Sequence, residues 1–144
     1  MKGLFTLHMH MHMSRFTVGV IRHFIATHFL FGGDWGRENE PHAHHYRMEA
    51  VFSGEELDRH GYLLDIAIVK EHLDALVARF RDRTLNDLPE LAGRNPGLEP
   101  FARALAESLS RTLVPALPPR TLTALTVKLW ENEEAYATCT LPLT

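Results

Sequence analysis
The 144-residue sequence predicts an α+β fold: an antiparallel four-stranded sheet with two helices on one face. Three observations predict it. Residues 14–30 and 42–53 alternate apolar and polar side chains with the period of half-buried strands. Residues 66–80 and 98–112 space their apolar residues as amphipathic helices do. The last stretch, 122–141, reads as two strands around a short polar turn. The order strand, strand, helix, helix, strand, strand contains no repeat and no linker. One domain over 14–144 is therefore expected, preceded by a flexible extension over 1–13.

Each element has its own justification. In 14–30, Phe16, Val18, Val20, Phe24, Ala26 and His28 share one face, which places His28 on the apolar side near the strand end. The Gly, Asn and Pro content of 32–41 marks a loop. In the second strand Tyr46, Met48, Ala50 and Phe52 continue the parity of His42 and His44. Gly61-Tyr62-Leu63-Leu64-Asp65 is expected as a short apolar strand ending in Asp65, a good helix cap. Ile66, Val69, Leu73, Leu76, Val77 and Phe80 form one stripe of the first helix. Residues 81–96 form a loop that closes at Asn95-Pro96. Phe101, Leu105 and Leu109 form the stripe of the second helix, which Pro115, Pro118 and Pro119 stop. Asn132 suits the turn of the final hairpin.

Composition excludes several classes of function. With 45% hydrophobic residues the chain can bury a normal single core, and its net charge of −3 with no basic run argues against nucleic-acid binding. Cys139 stands alone, so neither an internal disulfide nor a cysteine-based zinc site is available. No apolar run is long enough for a membrane span, and His8, His10 and His12 interrupt what would be the apolar part of a signal peptide. A soluble cytoplasmic protein is expected. No Walker loop, dinucleotide fingerprint, His-Glu-x-x-His or nucleophile elbow is present.

The chemistry is concentrated in Pro41-His42-Ala43-His44-His45-Tyr46. On a strand, His42 and His44 point the same way with backbones about 7 Å apart, and two neutral imidazoles on one face can converge on a metal ion. Chance alone supplies roughly 0.7 His-x-His pairs in a chain this rich in His, so the pair gains weight only from its surroundings. His45 faces the other way.

Those surroundings resemble the 6-pyruvoyltetrahydropterin synthase family, which includes the 6-carboxytetrahydropterin synthases, over about residues 14–142. Phe24-Ile25-Ala26-Thr27-His28 resembles the family's Phe-x-Ala-x-His, whose His is a zinc ligand. His42-Ala43-His44-His45-Tyr46 resembles His-Gly-His-x-Tyr, which carries the other two. Gly61-Tyr62-Leu63-Leu64-Asp65-Ile66 is similar to Gly-Met-Val-x-Asp-Phe, and Leu85-Asn86-Asp87 matches Leu-Asn-Asp. Asn95-Pro96-Gly97-Leu98-Glu99 resembles Asn-Pro-Thr-x-Glu without the Thr. Lys128-Leu129-Trp130-Glu131 looks like the strand ending in the Glu that holds the pterin ring.

The resemblance implies the tunnelling fold (ββααββ), with sheets of several subunits joined into a barrel as a homotrimer or homohexamer. It implies Zn2+ held by His28, His42 and His44, and a pterin held by Glu131 and Glu99. The implied reaction is a zinc-dependent lyase step on 7,8-dihydroneopterin triphosphate. Two departures bear on that reaction. The family's catalytic Cys is replaced by Glu38, which becomes the candidate base. Its Asp-His dyad aligns with Arg81-Asp82, leaving Asp82 as a second candidate carboxylate and no His; as plain sequence, Arg81-Asp82-Arg83 reads as a salt-bridged helix end. A Glu near position 38 also occurs in a branch linked to 6-hydroxymethyl-dihydropterin, and a non-catalytic zinc- and pterin-binding homologue is the alternative from another class. Arg22, Arg37 and Arg47 are candidate phosphate partners.

Overall fold
The computed structural model describes residues 15–118 and 122–143. The proposed extension over 1–13, the first residue of the predicted first strand, and Pro119 lie outside them. The elements are β1 (Phe16–His28), β2 (His42–Gly54), α1 (Ile66–Phe80), α2 (Leu98–Thr112), β3 (Leu122–Trp130) and β4 (Tyr136–Pro142). The strands form one antiparallel sheet in the order β1-β2-β3-β4. Both helices lie on the same face, α1 over β1 and α2 over β3 and β4.

Period-two patterning fixes which face each strand buries. Phe24, Ala26 and His28 of β1 and Tyr46, Met48, Ala50 and Phe52 of β2 point under the helices and are buried, as are Leu125, Val127 and Leu129 of β3. Helical spacing does the same from above with Val69, Leu73, Leu76, Val77 and Phe80 of α1 and Phe101, Leu105 and Leu109 of α2. Asp65 caps α1, its side chain accepting from the Ala67 amide at 2.9 Å. α2 ends at Thr112, and a single 3-10 turn carrying Pro115 follows.

The structure corrects the sequence in four places. Gly61–Asp65 is a turn and not a strand; Asp58 accepts from the His60 and Tyr62 amides and folds the segment back, while Leu63 and Leu64 still reach the core. Ile66 is 43% exposed, because it opens α1 before the helix is fully seated on the sheet. The loop over 81–96 contains two 3-10 turns, Leu85–Asp87 and Pro89–Leu91, each burying a leucine. Residues 82–84 run along the outer edge of β1, where the Asp82 amide bonds Ile25 O and the Thr27 amide bonds Arg83 O. Arg81, Asp82 and Arg83 are thus held by main-chain bonds, with Asp82 in the left-handed region at φ 60°. The ion pairs nearby are Arg79 with Glu90 and Arg22 with Asp74.

Candidate metal centre
β1 and β2 pair so that His28 lies opposite His42 and Ala26 opposite His44. Cross-strand partners on one face of an antiparallel pair stand close enough for their side chains to meet. His28, His42 and His44 therefore converge at the end of the sheet, with their ligand nitrogens all within 4.8 Å of one another. The three rings stack edge to face at centroid spacings of 4.5–4.9 Å. Beneath them lies an aromatic floor in which Tyr46 packs on Phe24 and against Phe101 and His44. Burial pushes the Tyr46 hydroxyl far above its ordinary range, so it stays protonated.

Two backbone carbonyls set the tautomers. His28 Nδ1 donates to Pro96 O at 2.7 Å and His42 Nδ1 to Glu40 O at 2.8 Å, because a carbonyl oxygen only accepts. A neutral ring with its proton on Nδ1 carries a lone pair on Nε2. The Nε2 atoms of His28 and His42 nevertheless face each other at 2.9 Å. Two lone pairs at that distance repel unless a cation stands between them. Nε2 of His44 is buried with no hydrogen-bond partner among the described residues.

A proton could bridge one pair, but it would leave the His44 nitrogen unsatisfied, and burial opposes it. His28 is 4% exposed, and its pKa is lowered first by burial and then by His42 and His44, against the Pro96 carbonyl. That of His44 is lowered first by burial and then by His42. Three imidazoles turned toward one point are a donor set that could hold a metal ion.

The carboxylates proposed from sequence fall around this point, with one exception. Glu131 follows β3, and its Oε2 is 3.9 Å from His44 Nε2. Burial raises its pKa first; the charges of Glu38 and Glu99 raise it further, against His28 and His42. The turn behind it is held by Asn132 Oδ1, which accepts from the amides of Glu134 and Ala135. Glu38, on a 3-10 turn over Gly36–Asn39, is close enough for its charge to act on both His44 and Glu131. It is exposed within one chain. Glu99 sits in the first turn of α2, where it also complements the helix dipole. Asp82 is the exception: its amide meets Ile25 at the outer edge of β1, about 10 Å along the strand from His28.

Around the free edge of β2 a cavity of about 620 Å³ links the two faces of the sheet, with His44 and Glu131 on one side and His23, His45 and Arg47 on the other. The edge is free there because β3 pairs with β2 only from Arg47 onward. Of the candidate phosphate partners, Arg22 is committed to Asp74 at 2.6 Å and Arg47 lies 3.6 Å from Glu49. Arg37 lies exposed on the Glu38 turn.

Sequence reasoning missed the amides that hold the site. Asn86 bonds both main-chain groups of Phe29, and Asn95 does the same for Phe31. These two side chains pair with the chain as it leaves His28, much as a further strand would. The available signal was their place in Leu-Asn-Asp and Asn-Pro, short polar interruptions flanked by apolar residues.

The model of the 6-pyruvoyl tetrahydropterin synthase family matches residues 17–142. A search of curated proteins found no match. Among solved structures, 6-pyruvoyl tetrahydropterin synthase of Caenorhabditis elegans is 21% identical with a TM-score of 0.74, covering 88% of this chain and 95% of that one. A Plasmodium vivax 6-pyruvoyltetrahydropterin synthase, described as a catalytic-residue mutant with Glu replaced by Cys, is 14% identical with a TM-score of 0.72, covering 89% and 99%. The Plasmodium falciparum protein is 15% identical with a TM-score of 0.68, covering 91% and 100%. At these identities the likeness concerns the fold, and that fold is the tunnelling fold expected from the sequence.

Proposed function
We propose, from the premise that the chain belongs to the 6-pyruvoyl tetrahydropterin synthase family, that it is a zinc-dependent lyase acting on 7,8-dihydroneopterin triphosphate. The observation that carries the reading is the set of Nε2 atoms of His28, His42 and His44, two facing each other at 2.9 Å and the third buried without a partner among the described residues. Zinc with three imidazole ligands at about 2.0–2.1 Å places nitrogens roughly 3.3–3.4 Å apart. The facing pair here is slightly nearer than that, and all the ligand nitrogens lie within 4.8 Å of one another, a spacing that small ring rotations would adjust. Three neutral ligands leave the ion its full charge and an open position, and so the power to acidify a bound hydroxyl and stabilise charge on a neighbouring carbonyl.

The chain's own residues do the rest. Glu131 accepts hydrogen bonds from the ring NH and amino group of the pterin, a paired pattern that one carboxylate matches. Its position 3.9 Å from His44 supports a ring held beside the three imidazoles. Glu99 supports the same end. Glu38 takes a proton from the three-carbon side chain, the role that the thiol fills elsewhere in the family. The Plasmodium vivax protein in which the mutated catalytic residue is a Glu supports a carboxylate in that role. Asp82, remote within one chain, contributes only across a subunit boundary. Exposed Ile21, Ile25 and Tyr136 on the helix-free face, with the open edge of β4, support assembly into a homotrimer or homohexamer in which Glu38 is covered. No helix among the described residues is long and apolar enough to cross a membrane.

Glu38 also favours a second reading, the branch that forms 6-hydroxymethyl-dihydropterin. Product analysis after incubating the metal-loaded protein with dihydroneopterin triphosphate tests both. A pyruvoyl or carboxy product supports the first reading and a hydroxymethyl product the second. Substrate bound but returned intact identifies a pterin binder and refutes the enzyme.

A further inference from the structure
Glu38 stands on a 3-10 turn in which no residue is buried, so packing does not hold it in place. Such a turn belongs to the easily opened part of a fold, and only its hydrogen bonds resist fraying. Those bonds centre on the next residue. Asn39 Oδ1 accepts from the Trp35 amide at 2.8 Å, at the start of the turn. Its Nδ2 donates to Leu30 O and to Gly33 O, each at 3.0 Å. The main chain adds a bond from the Leu30 amide to Glu38 O at 2.8 Å. Residues 38 and 39 therefore grip both main-chain groups of Leu30, two residues after His28. The segment they grip is itself fixed by Asn86 at Phe29 and Asn95 at Phe31. A continuous set of hydrogen bonds thus joins the root of the Glu38 side chain to the strand end that carries a metal ligand.

We propose that Asn39 is a positioning residue: its amide sets where the Glu38 carboxylate stands relative to the three imidazoles, and it acts on turnover only through Glu38. The inference rests on the reading of Glu38 as the base. The chemistry calls for an amide here. Two carbonyls need donors and one amide needs an acceptor, a pattern that Asn meets and Asp does not, since Asp would set a negative oxygen against two carbonyl oxygens.

A misplacement of about 1 Å can cost on the order of 10²-fold in rate. Asn39→Ala removes all three bonds, whereas Asn39→Asp keeps the acceptor and loses both donors. The full-length zinc-loaded protein, these two variants, Glu38→Gln and the double variant Glu38→Gln/Asn39→Ala are compared for kcat, KM, bound zinc and melting temperature. Both Asn39 variants should lower kcat by about 10- to 100-fold while KM moves less than about threefold and zinc is retained. The double variant should be no slower than Glu38→Gln alone, because a group that acts only through Glu38 has nothing left to position. Losses that multiply in the double variant, an Asn39→Ala protein as fast as the parent, or zinc lost from both Asn39 variants would each overturn the inference while the Glu38 reading stands. Normal turnover by Glu38→Gln, or none by the parent, would bring down the Glu38 reading and this inference with it.

Discussion
Replacing Asn86 or Asn95 by alanine removes the same two hydrogen bonds in each case, yet the structure predicts unequal losses. Asn86 holds the amide and carbonyl of Phe29 at 3.0 and 2.9 Å in a partly buried position. Asn95 holds those of Phe31 at 2.8 and 3.0 Å, but Phe31 is 41% exposed. A hydrogen bond contributes about 0.5–1.5 kcal/mol net, and a group left without its partner costs more when water cannot reach it. Asn86→Ala should therefore cost about 2 kcal/mol, and Asn95→Ala less than about 1 kcal/mol, because water replaces its bonds. At roughly 2–4 °C per kcal/mol for a domain of this size, the melting temperature should fall about 4–8 °C for Asn86→Ala and less than about 4 °C for Asn95→Ala. Calorimetry on chelator-treated protein measures this without the contribution of bound metal. Equal losses, or a larger loss at Asn95, would refute the argument that burial of the chain leaving His28 makes the clamp effective.

Other consequences follow from the site. Glu131→Gln exchanges an acceptor-only group for one carrying donors, which forfeits about 1.5–3 kcal/mol; pterin affinity should fall at least about tenfold in a fluorescence titration while zinc content is unchanged. The lowered pKa values of His28 and His44 make the apo-protein acid-sensitive. Above the ordinary value of 6.5 both rings are neutral whether folded or unfolded, but below it the unfolded chain binds protons that the folded chain resists. The metal-free protein should therefore lose stability as pH falls through the ordinary value of 6.5, with a shallower dependence for His44→Gln; a dependence unchanged in that variant would remove His44 from the account. Glu131, with a raised pKa, acts in the opposite sense, gaining stability as pH falls, in a window that starts from its lower ordinary value of 4.5.

The elements that bury a regular stripe were legible in the sequence. Both helices have their predicted limits, 66–80 and 98–112, because apolar spacing and the Asp65 cap agree there. β1 and β2 have the predicted faces, because one face is covered by helices and register is then fixed. His28, His42 and His44 share that parity, and their convergence follows from it once the two strands pair. Gly61–Asp65 misled because two adjacent leucines can be buried from a turn as well as from a strand. The roles of Asn39, Asn86 and Asn95 were illegible for a different reason. Their partners are main-chain atoms up to 64 residues away, and main-chain atoms leave no mark on the sequence. The exposure of Glu38 and the distance of Asp82 from the triad are likewise properties of loop geometry, which periodicity does not reach.

The central claim is that three imidazoles, two of them fixed as tautomers by backbone carbonyls, hold one metal ion. Elemental analysis of purified protein lacking residues 1–13, so that His8, His10 and His12 cannot contribute, tests it most directly. About one zinc per chain is expected in the parent, and far less in His28→Ala, His42→Ala and His44→Ala, each of which removes one of the three candidate ligands found among the described residues. Full zinc occupancy in all three variants, or a parent that takes up no divalent metal, would contradict the account.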